Sequence, residues 1–130
     1  MIENVHMVVV DDDRLVREFV SATLSYCVNR EVLSFENGLD AWLHIHDGSR
    51  VDVLVTDVDM PRMDGLALVE NVKRHRPEIA CIVMSADPEY EAGAELRGAD
   101  AFLAKPFTLS DLYAVVQCFV VDAPARAVNG

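Results

Sequence analysis

The sequence predicts an α/β fold, a three-layer sandwich with a mostly parallel five-stranded sheet and helices on both faces. Short apolar runs alternate strictly with amphipathic stretches, five of each, which is the pattern of repeated strand–helix units. The runs are continuously apolar rather than alternating, as strands covered on both faces require. A chain of 130 residues, 52% hydrophobic and 25% charged, fits one globular domain with enough length for a real core.

Met7-Val8-Val9-Val10 reads as the first strand and stops at Asp11-Asp12-Asp13. A helix follows from about Leu15 to Cys27, with Val16, Val20, Thr23 and Cys27 near one face and Asp13 as its N-cap. Glu31 to Phe35 reads as the second strand, Asn37-Gly38 as a turn, and Leu39 to His46 as a short helix closed by Asp47-Gly48. Val51 to Thr56 is the third strand, running into Asp57. Past the next loop, Asp64 caps a helix from about Gly65 to His75, and Pro77 ends it. Ala80 to Met84 is the fourth strand, stopping at Ser85.

Asp87-Pro88-Glu89 has the pattern of N-cap, proline at the first helical position and acid in the first turn. The helix it opens carries Gly93 and stops at Gly98. Ala101 to Ala104 is the fifth strand, Lys105-Pro106 a turn, and Leu109 to Val121 a last helix capped by Thr108. Residues 1–121 thus form the expected domain. The Ala- and Pro-containing stretch from Asp122 reads as a tail or linker.

Twenty-two acidic against 11 basic side chains leave a net charge of −11, a field that repels phosphate backbones and argues against direct nucleic-acid binding. Cys27, Cys81 and Cys118 are widely spaced within apolar segments, so they read as buried thiols of a reducing compartment rather than zinc ligands or disulfides. The N-terminus shows no basic stretch followed by an apolar one, and no run is long enough to span a bilayer. The expected location is the cytoplasm. His6, His44, His46 and His75 show no ligand spacing and receive no role, and Trp42 is assigned to the core.

In sheets of this class, chemistry sits beyond the carboxyl ends of the strands. Here those ends carry Asp11 and Asp12, then Asp57 with Asp59, then Ser85, then Lys105. Each alone is an ordinary turn or cap residue. Together they are not ordinary. Two carboxylates about 4 Å apart repel by about 4 kcal/mol at an effective dielectric near 20, so such a cluster calls for a cation or for protonation. An all-oxygen donor set with room for water suits Mg²⁺, with Mn²⁺ as a substitute. A hard metal, a lysine and a hydroxyl around one aspartate suit phosphoryl transfer onto that aspartate.

The stretches VVVDDD at 8–13, VLVTDVDMPRMDG at 53–65, IVMSAD at 82–87 and GADAFLAKPF at 98–107 resemble the receiver domain of two-component response regulators, of the chemotaxis-regulator-like type, in order and spacing. The likeness runs from about Met7 to Val121. It implies a flavodoxin-like (βα)5 sandwich with strand order 2-1-3-4-5. It further implies that Asp57 accepts a phosphoryl group from a phosphohistidine on a sensor histidine kinase or phosphotransfer protein. Asp12, Asp57 and the backbone carbonyl of Asp59 would ligate Mg²⁺, with Asp11 acting through water. Lys105 and Ser85 would hold the phosphoryl oxygens, Ser85 and Phe102 would act as switch residues, and the Lys105-Pro106 peptide would be cis. Such a protein is a phosphoacceptor rather than an enzyme, although it assists its own phosphorylation and dephosphorylation.

Asp13 makes a third consecutive acid and is read as a cap. Asp59 and Asp87 lie near the mouth of the site. They read first as a turn residue and a cap, and second as acids that set the lifetime of the phosphorylated state. The Gly93-containing fourth helix is the expected moving part. In the last helix, Leu109, Leu112, Val116, Phe119 and Val120 fit the core stripe, while Ala114, Cys118 and Val121 leave an outer face with little charge. That face, with the fourth helix and fifth strand, is expected to meet a downstream protein, a second copy or a further domain. Two rival readings fit less well. A haloacid-dehalogenase-type phosphatase would begin with the Asp57-x-Asp59 pair, and a flavodoxin-like cofactor binder would not place three aspartates in its phosphate loop. The remaining alternative is a pseudo-receiver that signals by protein contact without phosphorylation.

Overall fold

The computed structural model describes residues 5–26 and 32–120. Strands β1 (Met7–Val10), β2 (Leu33–Phe35), β3 (Val53–Asp57), β4 (Ala80–Ser85) and β5 (Ala101–Ala104) alternate with helices α1 (Arg14–Ser25), α2 (Gly38–His46), α3 (Gly65–His75), α4 (Tyr90–Leu96) and α5 (Leu109–Val120). The strands form one parallel sheet in the order β2-β1-β3-β4-β5, as the family resemblance implies.

Alternate residues of the same strands build the two cores. Met7, Val9, Val53, Val55, Ile82 and Met84 pack with Val20 and Leu24 of α1 and Leu112 and Val116 of α5. Val8, Val10, Leu54, Cys81 and Val83 pack with Ala41 and Ile45 of α2, Leu68, Val69 and Val72 of α3, and Ala94 of α4. Both sheet faces are covered, which is why the strand sequences are apolar throughout.

The caps at Asp13 and Asp64 form as expected, each carboxylate accepting backbone N–H bonds from its helix. Thr108 and Asp111 exchange reciprocal backbone-to-side-chain bonds of 3.1 and 3.0 Å, a capping box on α5. Other expectations shift. Asn37 is the N-cap of α2 rather than part of a turn, its Oδ1 accepting from Asp40 N at 2.8 Å. The third strand starts at Val53 and includes Asp57; just before it, the Asp52 carboxylate accepts a bond from His6 N at 2.8 Å. Helix α4 starts only at Tyr90: the Asp87 carboxylate accepts from Glu89 N at 2.9 Å, and Pro88 and Glu89 form a turn.

Leu109, the first residue of α5, is 55% exposed rather than in the core stripe. Cys118 is exposed while Cys81 is buried, and burial pushes the Cys81 thiol up to about 12. Trp42 is half-buried against the second core. The expectations for Cys27, Glu31, Val121 and the tail fall outside the described residues.

Candidate functional site

Sheet register assembles the site. Val10 pairs with Thr56, which sets Asp11 level with Asp57 at the carboxyl edge of adjacent strands. Asp57 pairs with Met84 and Ser85 with Ala104, so Ser85 and Lys105 reach the same edge one step later. Parallel strands that stop together therefore deliver four polar side chains from four elements to one rim.

Within that rim, carboxylate oxygens of Asp11, Asp12 and Asp57 all lie within 4.8 Å of one another. Asp11 is fully buried, Asp57 is buried and Asp12 is exposed. Lys105 Nζ bridges two of them, 3.0 Å from Asp11 Oδ2 and 3.2 Å from Asp57 Oδ1. Burial, then the Asp11 charge, raises the Asp57 carboxyl above its ordinary value; Lys105 and a Val58 backbone bond only partly offset this. Burial pulls the Lys105 ammonium down, but its bond to Asp11 and the charges of Asp11 and Asp57 outweigh it and leave the group raised. One ammonium between three carboxylates leaves negative charge over.

The donor chemistry fits a hard divalent ion. All donors are oxygens, and among the described residues no hydrogen bond engages the Asp12 carboxylate. Both Asp11 oxygens are in use, Oδ1 accepting from Asp13 N at 2.9 Å and Oδ2 from Lys105. Asp12 and Asp57 thus keep oxygens that are less engaged than those of Asp11.

The loop after β3 is held by contacts that the sequence pattern did not reveal. Gly65 N donates to Val58 O at 2.9 Å, and a Cβ on Gly65 would stand 1.8 Å from the Asp57 carbonyl oxygen. Only glycine lets α3 start this close behind the aspartate. Arg62 takes φ 71° in a tight turn closed by Met63 N donating to Pro61 O at 2.8 Å. Thr56 Oγ1 donates to the Asp57 carbonyl at 2.9 Å. Arg17 Nη1 donates to the Asp11 carbonyl at 2.7 Å, anchoring the acidic loop to α1. Its position four residues after the cap Asp13 was the available signal, since that spacing returns a side chain over the first turn. The Lys105-Pro106 peptide is cis.

Other expected residues are near the rim but not joined to it. Ser85 is buried, and its Oγ accepts from Asp87 N at 3.0 Å, which leaves its proton free to donate elsewhere. Asp59 is exposed and outside the three-carboxylate cluster, its Oδ1 accepting from Tyr90 Oη at 3.2 Å. That bond ties the loop after β3 to the first residue of α4. Phe102 is half-buried against the second core and lines a cleft of about 220 Å³ with Ala94 and Ala99 between α4 and β5. On the other side of the rim, Val16, Phe19, Ala86, Pro106 and Phe107 line an apolar groove that reaches Lys105.

Comparison with known proteins agrees with this geometry. The family model for the response regulator receiver domain matches residues 7–117. The DNA-binding transcriptional regulator NtrC of Azospirillum brasilense is 36% identical over 113 residues, covering 85% of this chain and 23% of that protein. The response regulator MprA of Mycobacterium ulcerans is 39% identical over 113 residues, covering 85% of this chain and 48% of that protein. The chain therefore spans at most about half the length of these relatives. Among solved structures, the BeF3-activated DrrB receiver domain superposes with a TM-score of 0.78 at 30% identity, covering 92% of this chain and 97% of that one. The chemotaxis protein CheY4 of Vibrio cholerae gives 0.79 at 28% identity, with 89% and 98% covered. No helix among the described residues is long and apolar enough to cross a membrane.

Proposed function

Given that the chain belongs to the response regulator receiver family of two-component systems, we propose that Asp57 is its phosphoacceptor and that phosphorylation is Mg²⁺-dependent. The observation that carries the reading is Lys105 Nζ standing 3.0 Å from Asp11 and 3.2 Å from Asp57 inside a three-carboxylate rim. A structural lysine needs one such partner. A lysine shared between the fully buried Asp11 and Asp57, which lies beside the exposed Asp12, is placed to change partners.

In the proposed step a carboxylate oxygen of Asp57 attacks phosphorus in line, and the bond from phosphorus to the donor imidazole nitrogen breaks. Asp12, Asp57 and the Asp59 backbone carbonyl would hold Mg²⁺, with Asp11 in contact through water. The ion, for which Mn²⁺ can substitute, supplies positive charge against the phosphoryl oxygens. Lys105 keeps its bond to Asp11 and gives its second contact to a phosphoryl oxygen. The Ser85 hydroxyl, whose proton is uncommitted, donates to another, drawing the loop after β4 inward and letting Phe102 follow. The same groups later orient water for hydrolysis of the acyl phosphate, so the protein assists its own phosphorylation and dephosphorylation without acting on a separate substrate.

The apolar groove beside Lys105 supports docking of the sensor histidine kinase or phosphotransfer protein there, because the donor must present its phosphohistidine at that edge. Helix α4 supports the role of moving element: it has seven residues, no side-chain N-cap bond, and Ala94 as its buried residue. With β5 and the sparsely charged α5, it forms the surface proposed for a downstream protein or a second copy. Residues 1–121 would form the receiver and 122–130 a tail or linker, in the cytoplasm.

The test is incubation with acetyl phosphate, with and without Mg²⁺, followed by intact mass measurement. The expected result is a gain of one phosphoryl group that needs Mg²⁺ and is absent in Asp57→Asn. A chain that gains none while remaining folded is a pseudo-receiver.

A further inference from the structure

We propose that His46 and His75, tilted against Trp42, form a binding site for a borderline divalent transition ion such as Zn²⁺, at the pole opposite the acidic rim. The two histidines are the last residues of α2 and α3. Both helices run back from the carboxyl edge of the sheet, so they end together where the strands begin. Arg76 marks the junction: its Nη1 donates to the carbonyls of Ile45 and Ser49, and its Nε pairs with Glu78 at 3.2 Å.

The ring centroids of His46 and His75 are 5.9 Å apart, and each lies close to Trp42, at 5.1 and 5.2 Å. A metal–nitrogen bond of about 2 Å puts an imidazole centroid about 3 Å from the ion, so two rings on a tetrahedral ion have centroids about 5 Å apart, and these exposed rings, at 5.9 Å, need to close by about 1 Å to share one. The tautomer is also settled for His75. Its Nδ1 lies 2.9 Å from the Asn71 carbonyl, and a carbonyl can only accept, so Nδ1 carries the proton. The Nε2 lone pair of the neutral ring then points away from the helix, the arrangement that a metal-binding histidine adopts. Among the described residues no hydrogen bond engages the His46 ring, and both side chains are exposed.

The helix ends supply partial negative charge here, set against the basic last turn of α3, where Lys73 is paired with Asp100. The C-terminal ends of α2 and α3 direct their last carbonyls to this corner, and Arg76 is occupied by Glu78 and two carbonyls. Imidazole nitrogen selects Zn²⁺, Ni²⁺ or Cu²⁺, whereas Mg²⁺ belongs with the all-oxygen rim. Water would complete the coordination, and the ion would pin the ends of α2 and α3 together. Nothing in this depends on phosphorylation of Asp57.

The test uses the untagged chain in a Cys118→Ser background, with excess Mg²⁺ present to fill the acidic rim, titrated with Ni²⁺. Trp42, the single tryptophan, reports binding by fluorescence. Saturable quenching at one ion per chain is expected, reversed by Zn²⁺, with the apparent affinity weakened about tenfold or more in His46→Gln and in His75→Gln. Absence of saturable quenching in the parent, or quenching in the double variant equal to the parent's, overturns the proposal. The histidine ring resonances probe the same site with no substitution: Zn²⁺ should shift those of His46 and His75, and shifts confined to His6 or His44 overturn it.

Discussion

Lys105 and Asp11 form a 3.0 Å ion pair in which the carboxylate is completely buried, although the two residues lie at opposite ends of the chain. This pair explains why Asp11 can be buried as a charge at all. Removing one partner from a buried pair leaves the other uncompensated. Lys105→Met should therefore lower stability by about 3 kcal/mol, and adding Asp11→Asn should recover part of that loss. Urea denaturation of the two variants checks it; equal losses would show that Asp11 is solvated without Lys105.

Asp57 carries the opposite energetic sign. Because its folded-state carboxyl is raised above 3.8, the folded protein binds that proton more tightly than the unfolded chain does. Metal-free stability should fall as pH rises from 3.8 through the raised value, and this contribution should be flat above it. Asp57→Asn removes the effect, so at neutral pH without metal it should melt higher, by a few degrees for each kcal/mol relieved. Calorimetry across that pH range in chelator decides the matter. A lower melting point in the variant would show that Asp57 is not held under repulsion.

Added Mg²⁺ should raise the melting temperature of the parent chain by mass action, by about 2.7 kcal/mol in stability when free ion reaches a hundredfold the dissociation constant. Asp12→Asn should lose most of this gain while keeping the metal-free melting point at or above that of the parent, since Asp12 is exposed and repels its neighbours. Thermal melts over a Mg²⁺ series measure both effects.

Gly65→Ala tests the close approach behind Asp57. The added Cβ would sit 1.8 Å from the Asp57 carbonyl, against backbone that cannot swing away. A loss of about 3 kcal/mol or more is expected, with slowed uptake of phosphate from acetyl phosphate. Gly48, whose added Cβ would meet nothing within 4 Å but whose φ is +94°, should lose much less on the same change.

The Tyr90–Asp59 bond gives a test of the proposed phosphorylation through its lifetime. Asp59→Met should change the rate at which phospho-Asp57 hydrolyses, and Tyr90→Phe should move that rate by freeing Asp59 from its 3.2 Å tether. Loss of the phosphoryl group followed by mass spectrometry measures both. If neither variant differs from the parent, the pair acts only as a brace on the loop.

The sequence by itself determined the element types, both carboxylate caps at Asp13 and Asp64, and the presence of Asp11, Asp57, Ser85 and Lys105 at one edge. Those features depend on local patterning and on a rule of parallel sheets: strands run the same way, so their ends share an edge. What the tertiary structure decided lies in contacts between elements. The division of labour between Asp11, tied by both oxygens, and Asp12, left free, depends on where Lys105 reaches from β5. The true start of α4, the exposure of Leu109 and Cys118, and the need for glycine at position 65 all follow from what lies opposite each residue. His46 and His75 make the case most plainly, because spacing along the chain carries no trace of two helix ends meeting. A one-dimensional pattern encodes which face a residue takes; only packing sets which residues of other elements face it.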